Sequence, residues 1–318
     1  MRNNLSAIDS WLPVGVLVVV FVIGAVSIER FISVGNVRAI MTLAAFVGVA
    51  SIGLTFVVFL GGIDISIPFF VGAGNIAAAE LFGVGFPFWV VVPMVVFGGA
   101  LLGAVNGAFA NRLAIHPLIV SLAIGTIVLG VALWLTDGFP SGAAPKGLTQ
   151  FVSIGQTVGP IPLPPLVLLW FGLAGLVVFV ERRSVVGLEI YDLGSSPAAA
   201  ELAGVRPTRT WAIAFGISGA SAALAGLLLL GFTGSASGAV GDPYLFRAIA
   251  AVVVGGTALV GGSGSYARTV LGALILSTVN SVLLGLKVEA TLVQVAVGVL
   301  IIVMVGVSGR QPAIRSTI

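Results

Sequence analysis

Long apolar runs without charge recur along this chain, and they constrain its fold more than any other feature. Residues 11–28, 39–60, 117–136 and 211–232 are four such runs. A helix needs roughly 20 apolar residues to cross the hydrocarbon core of a bilayer. Only 8% of the residues are charged, whereas soluble domains carry about 25%. The sequence therefore predicts an all-α integral membrane protein, with one transmembrane domain over residues 1–318.

About ten spans are predicted, of which the third, at 69–81, is short and the last lies at 291–307. We interpret the first run as a span and not as a cleaved signal peptide, because it exceeds the usual apolar core of about 7–15 residues. Between the second and third spans stands Gly-Gly-Ile-Asp-Ile-Ser, at 61–66, followed by Ile67 and Pro68. Irregular backbone at membrane depth is tolerated only where protein buries it or where it lines a wet cavity. Glycine-interrupted short segments also point to a transport pathway, so we predict a broken helix here.

Two polar stretches are long enough to fold outside the bilayer. Residues 182–210 carry seven charged side chains, and residues 137–165 are rich in Pro, Gly and Ser. With ten spans these stretches face opposite sides, and nine of the fourteen Lys and Arg residues fall on the side of 182–210. Because cytoplasmic loops retain positive charge, we predict that 182–210 and both termini are cytoplasmic and that 137–165 faces outward.

A short helix is predicted inside the cytoplasmic loop. Ser196 is a cap candidate, Pro197 suits a first turn, and Gly204 suits a stop. Two turns are too short to be stable alone, so the segment is either a connector lying on the membrane or a knob that fits a groove on a partner. Its residues are Pro197, Ala198, Ala199, Ala200, Glu201, Leu202, Ala203, Gly204 and Val205.

Catalytic and cofactor motifs are missing from the sequence. No G-x-x-x-x-G-K-[ST] pattern occurs, so the chain does not hydrolyse ATP itself. The chain has no cysteine, and His116 is its single histidine, which argues against thiolate metal sites and Ser–His–Asp sets. The net charge of +3 reflects membrane topology and not nucleic-acid binding. We predict a chain that is not an enzyme and holds no metal or cofactor.

Asp64 is the one carboxylate well inside an apolar region. An intramembrane acid is a functional-site hypothesis by default, but an aspartate also satisfies backbone N–H groups at a helix start. The second interpretation is favoured, because a proton relay needs partner acids or a histidine nearby. For Asn75 and Asn106, hydrogen bonding between helices is favoured over pathway lining.

Glycine and tryptophan spacing give two further predictions. Gly99, Gly103 and Gly107 recur every four residues, which predicts a ridge where another helix packs closely. The tryptophans fall near predicted span ends, as interfacial anchors do; they are Trp11, Trp89, Trp134, Trp170 and Trp211.

Four segments together resemble a known family. They are 61–66, the pair Asn106 and Gly107, residues 187–205, and residues 248–265. The chain from about 40 to 309 resembles the membrane permease subunits of ribose-type sugar ABC importers. The resemblance implies a bacterial inner-membrane permease that pairs as a homodimer or heterodimer. It further implies a tandem-cassette ATPase that holds ATP and Mg²⁺ on the cytoplasmic side, and a periplasmic binding protein that delivers a monosaccharide.

The resemblance also assigns roles to residues. It implies that 197–205 is the coupling helix and that the broken segment and the glycine turns form part of the gate. With the polar positions above, the pathway and gate candidates are Gly61, Gly62, Asp64, Ser66, Asn75, Asn106, Gly255, Gly256 and Thr257. The chain departs from the family where many members carry an acid before 248, because Arg247 stands there. This cation, near the predicted outer end of the pathway, leaves the identity of the sugar open.

Two alternatives remain at this point. One is a permease for branched-chain amino acids or nucleosides within the same superfamily. The other is a secondary transporter in which Asp64 binds a proton or sodium ion.

Overall fold

The computed structural model describes residues 2–257 and 261–289, with six separate positions beyond them at 292, 293, 295, 298, 299 and 302. Regular structure in these residues is helical, apart from two isolated β-bridges. The α-helices are α1 (Arg2–Ser27), α2 (Val34–Phe59), α3 (Ile67–Gly83), α4 (Phe88–Arg112), α5 (Pro117–Trp134), α6 (Lys146–Val152), α7 (Pro165–Arg183), α8 (Val185–Ser195), α9 (Pro197–Leu202), α10 (Pro207–Thr233), α11 (Tyr244–Val254) and α12 (Tyr266–Gly285).

Six of the described helices are long and apolar enough to cross a membrane: α2, α4, α5, α7, α10 and α12. Shorter apolar helical stretches cover Trp11–Ser27 and Ile67–Gly83. The break predicted between the second and third spans is present, because α2 ends at Phe59 and α3 begins at Ile67. The last predicted span, at 291–307, lies outside the described residues except at the six positions. The count of about ten therefore stays a prediction.

Two helices form the centre of the bundle. Nearly all of α2 from Ile40 onward is buried, and α10 packs against α2, α3 and α4. In contrast, α4 and α5 expose long apolar faces at the periphery. A helix that is apolar all round is either buried in a large core or spans a membrane, so these faces are suited to lipid or to another subunit.

The predicted glycine ridge is confirmed. It lies where α4 crosses α10, and each glycine faces a backbone carbonyl. A Cβ added at Gly99, Gly103 or Gly107 would overlap the carbonyl oxygens of Gly219, Phe215 and Trp211, respectively. Small residues at such crossings let two helix backbones approach closely, and here they hold α4 against the central helix.

The uncharged run that starts at Ala248 predicts an eighth span that ends near Val260. That prediction is wrong in its extent, because α11 stops at Val254. Gly255 and Gly256 follow, and Gly256 has a φ of +85°, a left-handed conformation that ends a helix. At 1.5 Å per residue, the 11 residues of α11 span about 16 Å, roughly half the hydrocarbon thickness. Residues 258–260 lie outside the described residues.

The prediction that Trp170 is an interfacial anchor is also wrong. Its side chain is fully buried, and its Nε1 donates to the Tyr266 hydroxyl at 3.1 Å. That hydroxyl in turn donates to the carbonyl oxygen of Gly48 at 2.8 Å. A Cβ at Gly48 would overlap the indole ring. The tryptophan therefore joins α7, α12 and α2. Trp11, Trp89 and Trp134 are exposed, and their role as interfacial anchors stays a prediction.

Candidate functional site

Helix α9 is short and exposes one large apolar side chain, that of Leu202. Ser196 occupies its N-cap position without a side-chain hydrogen bond, and Pro197 begins its first turn. Gly204, with a φ of +89°, follows its end. Ala200 is buried against the bundle, whereas the Leu202 side chain is 91% exposed. An apolar residue exposed on a polar loop is suited to insertion into a partner's groove.

Helix α8, which the sequence did not predict, fixes α9 to the bundle. Ile190 and Leu193 of α8 are buried in the same apolar cluster as Ala200 and the last turns of α2. The Tyr191 ring stacks on Phe59 with 4.6 Å between ring centroids. The six residues of α9 are too few to form a stable helix alone. Helix α9 therefore depends on its attachment to the packed helix α8.

Three glycine-containing turns meet where α8 ends. Gly61 follows α2, Gly194 lies near the end of α8, and Gly261 and Gly262 precede α12. The Gly262 N–H donates to the carbonyl oxygen of Phe59 at 2.8 Å. A Cβ at Gly194 would overlap that same oxygen, and one at Gly261 would lie 2.8 Å from the Gly61 nitrogen. The three backbones are in direct contact, and we call this contact the glycine junction.

A buried carboxylate lies beside the glycine junction. Glu181, in the last turn of α7, is 3% exposed. Its Oε2 accepts from the Tyr266 backbone N–H at 2.8 Å, and its Oε1 accepts from the Tyr191 hydroxyl at 2.9 Å. That hydroxyl also lies 2.8 Å from the carbonyl oxygen of Gly264. Burial, and then the Glu181 carboxylate, raise the pKa of the Tyr191 phenol, so the hydroxyl keeps its proton and remains a donor.

Sequence reasoning missed Glu181, although the sequence holds a signal for it. An acid in the last turn of a helix is disfavoured by the helix dipole, and Glu181 directly precedes two arginines at the end of a span. A carboxylate at that position calls for an explanation, which the bonds to Tyr191 and Tyr266 supply.

Asp64 belongs to a second polar group, in the break between α2 and α3. Its side chain is 1% exposed, and its Oδ1 accepts from the backbone N–H of Ser66 at 2.8 Å and from the Ser66 hydroxyl. Ser66, and not Asp64, is the N-cap residue of α3. The carboxylate therefore orders the residue at the helix start instead of bonding the first helical N–H groups.

The other polar candidates divide between two places. Asn106 joins the Asp64 group, because its Nδ2 donates to the Ser66 hydroxyl at 3.4 Å. Asn75 lies apart from it, donating to the carbonyl oxygen of Gly226 at 3.0 Å and accepting from the Ser237 N–H at 2.8 Å. Both polar atoms of Asn75 are thus used between α3, α10 and the segment after α10. Asn106 Oδ1 and Thr257 Oγ1 are buried without a partner in the described part of the chain.

The remaining gate candidates are backbone positions. Gly61 belongs to the glycine junction, whereas the neighbouring Gly62 packs close to the Trp211 ring. Gly255 faces the backbone of Arg268 so closely that a Cβ would overlap its carbonyl oxygen. Among the residues that the structure describes, no three His, Cys, Asp or Glu side chains cluster as a metal site would require.

Comparison with known proteins shows a family match over most of the chain. Residues 36–306 match the family described as the branched-chain amino acid transport system permease component. The ribose import permease protein of Haemophilus influenzae is 30% identical over 294 residues, which cover 91% of this chain and 90% of that protein. The fructose import permease protein of Rhizobium meliloti is 31% identical over 316 residues, with 96% and 87% covered. The D-allose transport system permease protein of Escherichia coli is 29% identical over 289 residues, with 91% and 87% covered. No solved structure gives a significant match.

Proposed function

Because this chain belongs to the permease family of ABC importers that matches residues 36–306, we propose that it is the membrane subunit of an ATP-driven importer for a monosaccharide. The relatives named for ribose, fructose and D-allose support the sugar assignment. The observation that carries the mechanism is the exposed knob of α9, fixed by α8 to the ends of α2 and α12.

In this proposal α9 is the coupling helix. A separate tandem-cassette ATPase holds ATP and Mg²⁺, and its groove receives Leu202 and the neighbouring exposed residues of α9. Closure of the cassettes pushes the knob, and the packed α8 passes the displacement to the transmembrane helices. Because the chain contains no Walker A sequence, ATP hydrolysis in this proposal takes place in the partner.

The proposed topology has ten spans in the bacterial inner membrane, with both termini in the cytoplasm. The six long helices account for six spans, and α1, α3, α11 with its glycine turn, and the run at 291–307 account for the rest. The arginine-rich segment 182–210 is then cytoplasmic and 137–165 faces outward. The contact of the α2, α8 and α12 turns supports this arrangement, because it requires all three to lie at one end of the bundle.

Three further partners follow from the surface. The exposed apolar faces of α4 and α5 are suited to lipid and to a second permease subunit, like or unlike this one. The outer end, which includes 137–165 and Arg247, receives a periplasmic sugar-binding protein. Arg247 lies 5.8 Å from the Tyr244 ring centroid, so a cation is held at the start of α11 where an incoming substrate or binding protein meets it.

We place the gate in the broken segment and the glycine turns. Gly61, Gly62, Asp64 and Ser66 connect the buried α2 to α3, whereas Gly255, Gly256 and Thr257 follow the half-length α11. Non-helical backbone at membrane depth is expected where a pathway passes. Small movements of the glycine junction reach the broken segment directly, because Gly61 belongs to both.

Uptake under an ionophore tests the proposed function against ion-coupled transport. The permease is reconstituted in proteoliposomes with its ATPase inside and its binding protein outside, and entry of labelled ribose, allose or fructose is measured. We expect uptake that needs internal ATP and continues after proton and sodium gradients are collapsed. Uptake that stops with the gradients while ATP remains would favour the secondary transporter. Uptake of leucine or a nucleoside, but of no sugar, would favour the other alternative.

Substitution of Asp64 separates the same two mechanisms within the chain. Asp64→Asn is expected to keep most ATP-driven uptake, because the amide oxygen still accepts both bonds from Ser66. Asp64→Ala removes that acceptor and leaves Ser66 donors buried, at a cost of about 1–3 kcal/mol for each unsatisfied group. Uptake and the amount of folded permease are measured together for both variants. Loss of uptake in well-folded Asp64→Asn would indicate an ion-binding role instead.

A further inference from the structure

Glu181 bridges three segments that are far apart in sequence. It lies in the last turn of α7, it accepts from the Tyr191 hydroxyl of α8, and it accepts from the N–H of Tyr266 at the start of α12. A buried carboxylate costs several kcal/mol in desolvation unless hydrogen bonds compensate. Both of its oxygens are used, and within the described residues no ion pair at 4.0 Å or less involves it. The carboxylate is thus held by hydrogen bonds from α8 and from the start of α12, two segments that move in the proposed mechanism.

Tyr191 connects this carboxylate to the coupling helix. It lies five residues before the N-cap of α9, and its ring stacks on Phe59 at the end of α2. Its hydroxyl contacts Glu181 and Gly264 together. The ion pair between Glu189 and Arg209 cannot anchor α8 in this way, because its two atoms are 4.0 Å apart and the arginine is largely exposed. Exposed ion pairs contribute only about 0–1 kcal/mol to stability.

We propose that Glu181 is a positioning residue that, through Tyr191, ties α8 and the coupling helix to the turn at 261–265, so that displacement of α9 moves the starts of α12 and of the broken segment as one body. This inference rests on the proposed function. The bonds of Glu181 hold the two sides of the glycine junction together while the contact between Gly262 and Phe59 transfers the motion to α2.

The test compares Tyr191→Phe, Glu181→Gln and the double variant in the reconstituted complex. Tyr191→Phe keeps the ring stack on Phe59 and removes only the hydroxyl. Glu181→Gln replaces one carboxylate oxygen by an amide NH₂ group. This group then faces either the Tyr191 hydroxyl or the Tyr266 N–H, each of which donates to Glu181. Glu189→Gln, on the adjacent helix α8, is the matched control, because it makes the same chemical change. For each, the readouts are the yield of permease bound to its ATPase, basal ATP hydrolysis, and sugar imported per ATP hydrolysed.

We expect normal complex yield and basal hydrolysis in all four variants. Sugar imported per ATP should fall about fivefold or more in both single variants, with Glu189→Gln unchanged. The double variant should be no worse than the more affected single variant, because both changes cut the same connection. A wild-type ratio in either single variant would overturn the inference, as would a loss confined to complex yield. Wild-type permease without ATP-dependent uptake would refute the proposed function itself, and this inference with it.

Discussion

Leu202→Asp is expected to abolish ATP-driven uptake while the permease remains folded. The side chain is 91% exposed, so nothing inside the chain depends on it, and a new carboxylate there adds to the charge of Glu201. An apolar anchor that fills a partner's pocket is typically worth about 2 kcal/mol or more, which corresponds to roughly thirtyfold in affinity. Affinity for the ATPase, measured by co-purification across a concentration series, should fall by at least that much.

The control for this variant is Gln156→Asp. It introduces the same charge at an exposed position of the loop between α5 and α7, at the opposite end of the bundle in the proposed topology. It should leave ATPase binding and uptake at wild-type levels. Leu202→Asp with unchanged affinity and uptake would remove α9 from the coupling mechanism.

Gly103→Val is expected to have the largest effect on folding. Its Cβ would overlap the carbonyl oxygen of Phe215 in α10, and a backbone atom cannot move aside as a flexible side chain can. Overpacking costs about 1–3 kcal/mol and occasionally more, and we expect the upper end of that range because α4 packs along much of the central helix. The apparent melting temperature of the purified permease should fall, with a lower yield from membranes.

Gly98→Val is the matched control on the same helix. A Cβ at Gly98 meets no heavy atom within 4 Å, so valine there should leave the melting temperature nearly unchanged. Equal destabilisation by the two variants would indicate a general intolerance of α4 to valine and would contradict the close crossing with α10.

Local sequence patterns predicted those parts of the fold that depend on residues close together in the sequence. The spacing of Gly99, Gly103 and Gly107 places them on one helix face, whichever element packs against that face. Gly61, Gly62 and Pro68 separate α2 from α3 through their own backbone preferences. Family membership and the sugar-importer class also followed from sequence segments. Roles of single residues in coupling and in the pathway stay predictions.

Long-range contacts account for what sequence reasoning missed. Trp170 lies near a span end, yet its burial depends on Gly48 and Tyr266, which are distant in sequence. Helix α8 contains Gly187 and Gly194, and glycine disfavours an isolated helix, so its helical state depends on packing against α2. Glu181 belongs to the site only because α7, α8 and α12 are in contact, and no local sequence pattern predicts that contact.

The most direct test of the account is which side of the membrane exposes Leu202, and whether the ATPase covers it. Because the chain has no native cysteine, Leu202→Cys provides a single thiol for a membrane-impermeant maleimide. The account predicts labelling in inside-out vesicles but not in intact cells, and protection from labelling when the ATPase is bound. Labelling from the outside, or equal labelling with and without the ATPase, would contradict it.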